Sequence, residues 1–172
     1  MAIRRTIYDQ RRYGHFLTFS CYRRARLLDG DRAKGIVVHY LEKQLKNQKG
    51  SLAGFVVMPD HVHALVRFQE PGVLSVFMNQ WKRRSSMALK KHFQERLKAY
   101  ESRMGLEGSA VWQPKYYSFE VFSRAKVLEK LEYMHNNPVK SGLVAHAKEW
   151  VFGSAPWYLS GRPVGVPIEP LG

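Results

Sequence analysis

The 172 residues are 45% hydrophobic, which is enough for one domain with its own core, and the single cysteine, Cys21, excludes an intrachain disulfide and a cysteine-based zinc site. Lys and Arg number 28 against 14 Asp and Glu, and the net charge of +14 favours a polyanionic partner such as a nucleic acid. No apolar run is long enough to cross a membrane, and the N-terminal residues lack a signal peptide's apolar core, so we expect a cytoplasmic protein without a membrane partner.

The first part of the chain is predicted to form a strand, a helix and a hairpin. After an arginine-rich N-terminal arm, residues 15–22 alternate between two sets of side chains, which predicts a strand. Apolar residues at helical spacing predict a helix that begins near Asp31. Two apolar runs, 52–58 and 61–68, flank a Pro-Asp pair that is typical of a turn between strands.

The middle of the chain is predicted to form a helix and an edge strand. Ser75 is a suitable N-cap for a helix that ends at about residue 97. Residues 111–122 are rich in aromatic side chains and predict a fourth strand. Pro114 interrupts this run and cannot donate a ladder hydrogen bond, so the strand should lie at the edge of its sheet.

The last predicted helix begins after Ser123 and ends at about Asn137, before Pro138. Gly and Pro are frequent in residues 159–172 and predict an extended or mobile tail after a single domain over residues 1–158. The order strand, helix, strand, strand, helix, strand, helix predicts an α+β fold, an antiparallel sheet with helices packed on it.

Two histidines, His61 and His63, are two residues apart in the hairpin's second strand, so both project from one face of the sheet. Neighbouring imidazoles can hold one divalent metal and leave positions open for substrate oxygens. A pair of hydrogen-bonded structural histidines explains the same pattern. His-x-His alone is too short to decide between the two interpretations.

The predicted helix before Pro138 has two faces. One face should pack on the sheet through Val127, Leu128, Leu131 and Met134, and another face gathers Lys126, Lys130, Tyr133 and Asn137. The lysines can favour the Tyr133 phenolate or hold a phosphate, and Asn137 can offer an amide oxygen to a metal. An ordinary solvated helix face is the alternative interpretation.

Three motifs, VVMPDHVHALV, VWQPKYY and LEYMHNNPVKSGLV, occur in this order along the chain. Together they resemble the REP-associated tyrosine transposases, which are relatives of the single-strand transposases that move insertion sequences through DNA hairpins. The resemblance extends from YGHFLTF to EWVFGS and implies a ferredoxin-like (RRM-like) sheet. After NPVKSGLV, the segment EWVFGSAPWY only approximates the pattern of the family.

The resemblance assigns His61 and His63 as metal ligands and Tyr133 as the catalytic nucleophile. It places Asn137 where the insertion-sequence relatives use a glutamine as third ligand. It also implies that single-stranded DNA is cut near hairpins through a covalent 5′-phosphotyrosine, with Mg²⁺ or Mn²⁺ as the cofactor.

Basic and aromatic side chains are expected to bind this DNA. The candidates for backbone contacts are Arg4, Arg5, Arg11, Arg12, Lys82, Arg83, Arg84, Lys126 and Lys130, and those for stacking on unpaired bases are Trp112, Tyr116 and Tyr117. Two alternatives stay open: a non-catalytic module that binds single-stranded nucleic acid, and an insertion-sequence transposase that acts as a dimer. The sequence does not separate a monomer from a homodimer.

Overall fold

A four-stranded antiparallel sheet forms the centre of the computed structural model, which describes residues 14–96 and 110–171. The strands are β1 (Gly14–Ser20), β2 (Gly50–Val57), β3 (His61–Phe68) and β4 (Tyr117–Val121). Their order is β2-β3-β1-β4, and each neighbouring pair is antiparallel. The predicted α+β, ferredoxin-like sheet is confirmed.

Helices cover both faces of the sheet. They are α1 (Asp31–Asn47), α2 (Leu74–Arg96), α3 (Arg124–Lys140) and the short α4 (Ala155–Ser160), which follows a 3-10 turn (Ala147–Glu149). Strand β1 alternates as predicted, so Leu17 and Phe19 join the core with α1 and α2, whereas Phe16 joins a second core with α3. The sheet therefore separates two packed layers of helix.

Helix α3 lies directly on β2. Leu131 and Met134 are buried in the second core, and a Cβ atom at Gly54 would overlap Leu131 and lie 3.1 Å from Cε of Met134. His135 adds a polar contact, because its Nε2 lies 2.8 Å from Oγ of the buried Ser154. The absence of a side chain at Gly54 lets the helix approach the sheet closely.

The EWVFGSAPWY segment covers the free edge of β2. The backbone N–H of Val57 donates to the carbonyl of Phe152, and that of Ser154 donates to the carbonyl of Phe55. The Tyr158 hydroxyl donates to the Ala53 carbonyl at 2.6 Å. This segment therefore satisfies backbone groups of the edge strand and also receives His135 of α3.

Helix α3 continues three residues past the predicted end at Asn137. The missing N–H of Pro138 removes only one intrahelical hydrogen bond in the last turn, which the helix tolerates. The N–H of Ser141 donates to the Asn137 carbonyl at 3.0 Å and closes the helix end. The predicted boundary was wrong because Pro138 lies in the last turn of α3, where its missing N–H does not end the helix.

Leu128 does not pack on the sheet as predicted, since its side chain is 55% exposed. Val127, Leu131 and Met134 are buried as expected. Leu128 follows Val127 by one residue, about 100° around the helix, and this rotation carries it to the side of the contact.

The bounds of α2 and β4 also differ from those predicted. Helix α2 begins at Leu74, one residue before Ser75, so Ser75 is not its N-cap. Strand β4 is confined to five residues, and Pro114 separates it from the bridge between Cys21 and Trp112. Strand β4 lies at the sheet edge, as Pro114 suggested.

The tail expected to be extended or mobile is packed against the domain over residues 161–171. Val164, Val166 and Ile168 are buried in the core shared with α1 and α2. The N–H of Glu169 donates to the Leu52 carbonyl at 2.8 Å. Alternate apolar residues thus anchor an extended segment that Gly and Pro content alone could not place.

None of the helices within residues 14–96 and 110–171 is both long and apolar enough to span a membrane.

Candidate active site on the α3 face

The two histidines lie in the middle of the sheet, below α3. His63 pairs with Thr18 of β1, and His61 pairs with Ser20. Their ring centroids are 4.8 Å apart. Because they are residues i and i+2 of one strand, both imidazoles lie on the same face, as the sequence predicted.

Both imidazoles are held through Nδ1. Oδ1 of Asp60 lies 2.7 Å from Nδ1 of His61, and Oγ1 of Thr18 lies 2.7 Å from Nδ1 of His63. A carboxylate accepts the Nδ1 proton, which leaves a lone pair on Nε2 of His61. Nε2 of His63 is buried and has no hydrogen-bond partner in the part of the chain that the structure describes.

Burial, with smaller contributions from the nearby His61, Arg24 and Lys130, lowers the pKa of His63 to about 3. His63 is therefore neutral at neutral pH. A neutral imidazole whose Nε2 lacks a partner has the form required of a metal ligand.

Tyr133 of α3 lies against this pair. Its ring centroid is 5.3 Å from that of His63 and 6.1 Å from that of Phe16, in edge-to-face geometry. The side chain remains accessible, with 49% of the residue exposed. A tyrosine that contacts His63 and is also open to solvent can meet an incoming phosphodiester.

Asn137, one turn after Tyr133, lies beside His61. Its Nδ2 is 3.3 Å from Nε2 of His61, and rotation of the amide would bring its oxygen to the same place. The described residues contain no group of three or more His, Cys, Asp or Glu that could hold a metal. A metal here would therefore be held by His61, His63 and the Asn137 amide, and the buried unpaired Nε2 of His63 fits that role.

Two lysines of α3 extend this site along β1. Nζ of Lys130 lies 4.8 Å from the ring centroid of Phe16 and 4.9 Å from that of Phe119. Nζ of Lys126 is 2.9 Å from Oε2 of Glu129 and 5.9 Å from the Phe119 ring centroid. Both lysines thus lie on the Tyr133 side of the sheet, as the helical spacing suggested.

The basic residues of α2 lie on the opposite side of the sheet from Tyr133. Nζ of Lys82 donates to the backbone carbonyls of Gln113 and Pro114, and burial lowers the pKa of Lys82. Arg83 and Arg84 are exposed. The four arginines predicted in the N-terminal arm, Arg4, Arg5, Arg11 and Arg12, lie outside the described residues.

The three aromatic candidates differ in exposure. Tyr117 is exposed on β4, and Tyr116 is half-buried against the larger core. Trp112 is buried, and its Nε1 donates to Oγ of Ser85 at 3.1 Å, so its ring cannot stack on a base. For Trp112, core packing is the role that the structure supports.

Several contributors to the site were not singled out from the sequence. Thr18 orients His63, and Phe16 contacts both His63 and Tyr133. Nε of Arg24 lies 3.2 Å from Oδ2 of Asp60, a residue that the sequence predicted only as part of a turn. The alternation of β1 put Phe16 and Thr18 on one face, but only its register with β3 shows which residues they meet.

Comparisons with known proteins agree with this architecture. The profile of the family described as "Transposase IS200 like" matches residues 10–137, a range that ends at Asn137 and includes the other site residues. The REP-associated tyrosine transposase of Escherichia coli (strain K12) is 23% identical over 116 residues, which are 67% of this chain and 61% of that protein. The chain thus spans less than two thirds of that relative.

Two solved structures are similar in fold. A REP-associated tyrosine transposase bound to a REP hairpin matches with a TM-score of 0.66 and 19% identity, covering 94% of this chain and 88% of the other. A Deinococcus radiodurans protein assigned as a transposase matches with a TM-score of 0.52 and 21% identity, covering 72% of this chain and 88% of its own. Because the family profile matches most of its length, this chain belongs to the IS200-like transposase family.

Proposed function

We propose that this protein cuts and rejoins single-stranded DNA near hairpins, with Tyr133 as the nucleophile and a divalent metal at His61, His63 and Asn137. The observation that carries the proposal is the buried Nε2 of His63, which has no partner among the described residues, in a ring that contacts the accessible Tyr133. A purely structural role for the histidine pair does not explain why an exposed tyrosine contacts His63. The hairpin held by the similar REP-associated transposase supports hairpin DNA as the substrate class.

A bound Mg²⁺ or Mn²⁺ would polarise the phosphate oxygens and offset charge that builds up during the reaction. The residues around it define the rest of the site. Asp60 and Thr18 fix the two imidazole rings through Nδ1, so little reorganisation is needed when substrate arrives. Lys130, over Phe16, adds positive charge on the same side as Tyr133.

In the proposed step, the Tyr133 oxygen bonds to phosphorus as the bond from phosphorus to the 3′ oxygen breaks. The phenolic proton passes to solvent, and the departing 3′ oxygen takes up a proton. The products are a 5′-phosphotyrosine and a free 3′-hydroxyl. Attack of a 3′-hydroxyl on that linkage reverses the step, and no energy cofactor is needed because one phosphoester replaces another.

The ring of Tyr133 lies 5.3 Å from that of His63 of the same chain, which supports a site that a monomer can complete. The candidate DNA contacts are retained within the proposal. Lys126 and Lys130 precede Tyr133 on α3, and Tyr117 is exposed for stacking. Arg83 and Arg84 offer charge on the other side of the sheet.

The test is to incubate the protein with Mg²⁺ or Mn²⁺ and labelled hairpin oligonucleotides from its own genomic neighbourhood, then run a denaturing gel. We expect a covalent protein–DNA adduct that disappears in Tyr133→Phe and without metal. Tyr40→Phe is the matched control, because Tyr40 is in α1 on the opposite side of the sheet. Tight binding with no adduct across the hairpins would favour the non-catalytic binding module.

Metal binding has a readout that does not need activity. Titration of Mn²⁺ followed by electron paramagnetic resonance should show one site in the wild type and a large loss of affinity in His63→Ala. Equal Mn²⁺ affinity in both proteins would remove the metal from the proposal.

A further inference from the structure

Arg24 lies at the edge of the histidine site, and only two of its three guanidinium nitrogens have a partner among the described residues. Its Nε is 3.2 Å from Oδ2 of Asp60, and its Nη1 donates to Oγ of Ser20 at 2.9 Å. Nη2 has no partner within the described residues, and the side chain is 57% exposed. An arginine held at two donors with a third open is well suited to bind a phosphate.

The backbone of this arginine is unusual. Arg23 and Arg24 have φ angles of 52° and 57°, a left-handed conformation that non-glycine residues rarely adopt. The turn is closed by the N–H of Arg24, which donates to the Cys21 carbonyl at 2.9 Å. Strained residues of this kind persist where the surrounding structure fixes them, often at functional sites. Here the conformation brings Arg24 back over the end of β1.

Lys130 occupies the corresponding place at the other end of the site. It lies over Phe16, whereas Arg24 contacts Ser20, and these two β1 residues lie on the same face as Thr18. At about 3.4 Å per residue, Phe16 and Ser20 are roughly 14 Å apart along the strand. Thr18, which holds His63, lies midway between them.

We propose that Arg24 and Lys130 bind the phosphates on either side of the phosphodiester that Tyr133 attacks, so that the substrate strand runs along β1. The inference rests on the proposed function and extends it from a reaction to a path for the DNA. The order along β1 is Lys130 at Phe16, the histidine centre at Thr18, and Arg24 at Ser20.

A purely structural role for Arg24 makes a different prediction. If Arg24 acts only by holding Asp60, which holds His61, its removal should affect metal binding and leave metal-free DNA binding unchanged. DNA affinity measured in the presence of a chelator is therefore sensitive to the phosphate contact and insensitive to the route through Asp60.

The experiment measures binding of a fluorescent hairpin oligonucleotide with a single-stranded flank to Tyr133→Phe protein, with chelator, over a range of salt. We expect Arg24→Gln and Lys130→Gln each to weaken binding by roughly tenfold and to reduce the salt slope by about 0.7, the loss of one single-strand phosphate contact. Lys46→Gln is the charge-matched control, because Lys46 lies on α1, across the sheet. Arg24→Lys should keep most of the salt slope, which separates loss of charge from misfolding.

A scan with methylphosphonates, which remove the charge of one phosphate at a time, then identifies the contacts. At one methylphosphonate position, Arg24→Gln should bind the oligonucleotide with the same affinity as its Tyr133→Phe parent. Lys130→Gln should do so at a second position, and the cleaved phosphodiester should lie between the two. Slopes equal to that of Lys46→Gln, or two contacts on the same side of the cleavage position, would overturn the proposal.

Failure of this inference can be told apart from failure of the proposed chemistry. Binding needs no cleavage, so two separate methylphosphonate positions with no adduct in wild-type protein would retain the two phosphate contacts along β1 and reject the chemistry. An adduct with unaffected binding in both variants would retain the chemistry and reject the path. No binding to any hairpin oligonucleotide would overturn both.

Discussion

Gly54→Ala tests whether direct contact with β2 determines the position of α3 and therefore of Tyr133. The added Cβ would overlap the Leu131 side chain, lie 3.1 Å from Cε of Met134, and lie 3.0 Å from Oγ of Ser154. The ends of Leu131 and Met134 can move slightly. Oγ of Ser154 cannot move as easily, since it accepts from the Phe55 N–H at 3.0 Å and contacts His135.

Two opposing terms set the size of the effect. Replacing a strand glycine by alanine favours folding by about 0.5–1 kcal/mol through chain entropy, whereas overpacking a filled core costs about 1–3 kcal/mol. The net expectation for Gly54→Ala is a loss of about 1 kcal/mol. Gly35→Ala in α1 is the control, because its Cβ meets nothing within 4 Å and should increase stability by about 0.5–1 kcal/mol.

Urea unfolding followed by tryptophan fluorescence measures this difference, which should be about 2 kcal/mol between the two variants. A small outward shift of α3 should also slow adduct formation by about tenfold in Gly54→Ala, measured where the protein is fully folded. If Gly54→Ala matches Gly35→Ala in stability and the wild type in rate, the close contact between α3 and β2 is refuted.

Three further outcomes are expected. Leu131→Ala should lower the free energy of unfolding by about 2–5 kcal/mol in urea, and Leu128→Ala by less than about 0.5 kcal/mol, because only Leu131 is buried. Asp60→Asn should weaken Mn²⁺ binding in calorimetry by about 10–100-fold, since Asp60 orients His61, and unchanged affinity would contradict that role. Burial lowers the pKa of His135 to about 4. As the pH decreases from 6.5 to 4, this histidine binds a proton in the unfolded chain but not in the folded chain, so the free energy of unfolding decreases. Between pH 7.5 and 5, the contribution of His135 to the free energy of unfolding should decrease by about 2 kcal/mol. Urea unfolding at a series of pH values should show that His135→Gln lacks this decrease.

The sheet and the common face of the histidines were predictable because they depend on local periodicity. Alternation of period two places His61 and His63 together whatever the rest of the fold does. The helical spacing of Tyr133 and Asn137 likewise survives in α3. Bringing the strand and helix together required the resemblance, since no local pattern states which face of a sheet a later helix covers.

Other features depend on tertiary contacts and could not be read from the sequence. The contact between Thr18 and His63 joins residues 45 positions apart and follows from the β1–β3 register. The place of Arg24 follows from two left-handed residues that no periodic pattern marks. Packing of the tail needs the backbone of Leu52 as a partner.

The most direct test of the account is to identify the atom that becomes joined to DNA. After reaction with a labelled hairpin oligonucleotide and Mn²⁺, trypsin digestion and mass spectrometry should place the adduct on the peptide of residues 131–140, at Tyr133. The attached fragment should carry the 5′ phosphate, and the released fragment should end in a 3′-hydroxyl. An adduct on another residue, or cut strands with free 5′ phosphates and no attached peptide, would contradict the assignment of Tyr133 as the nucleophile.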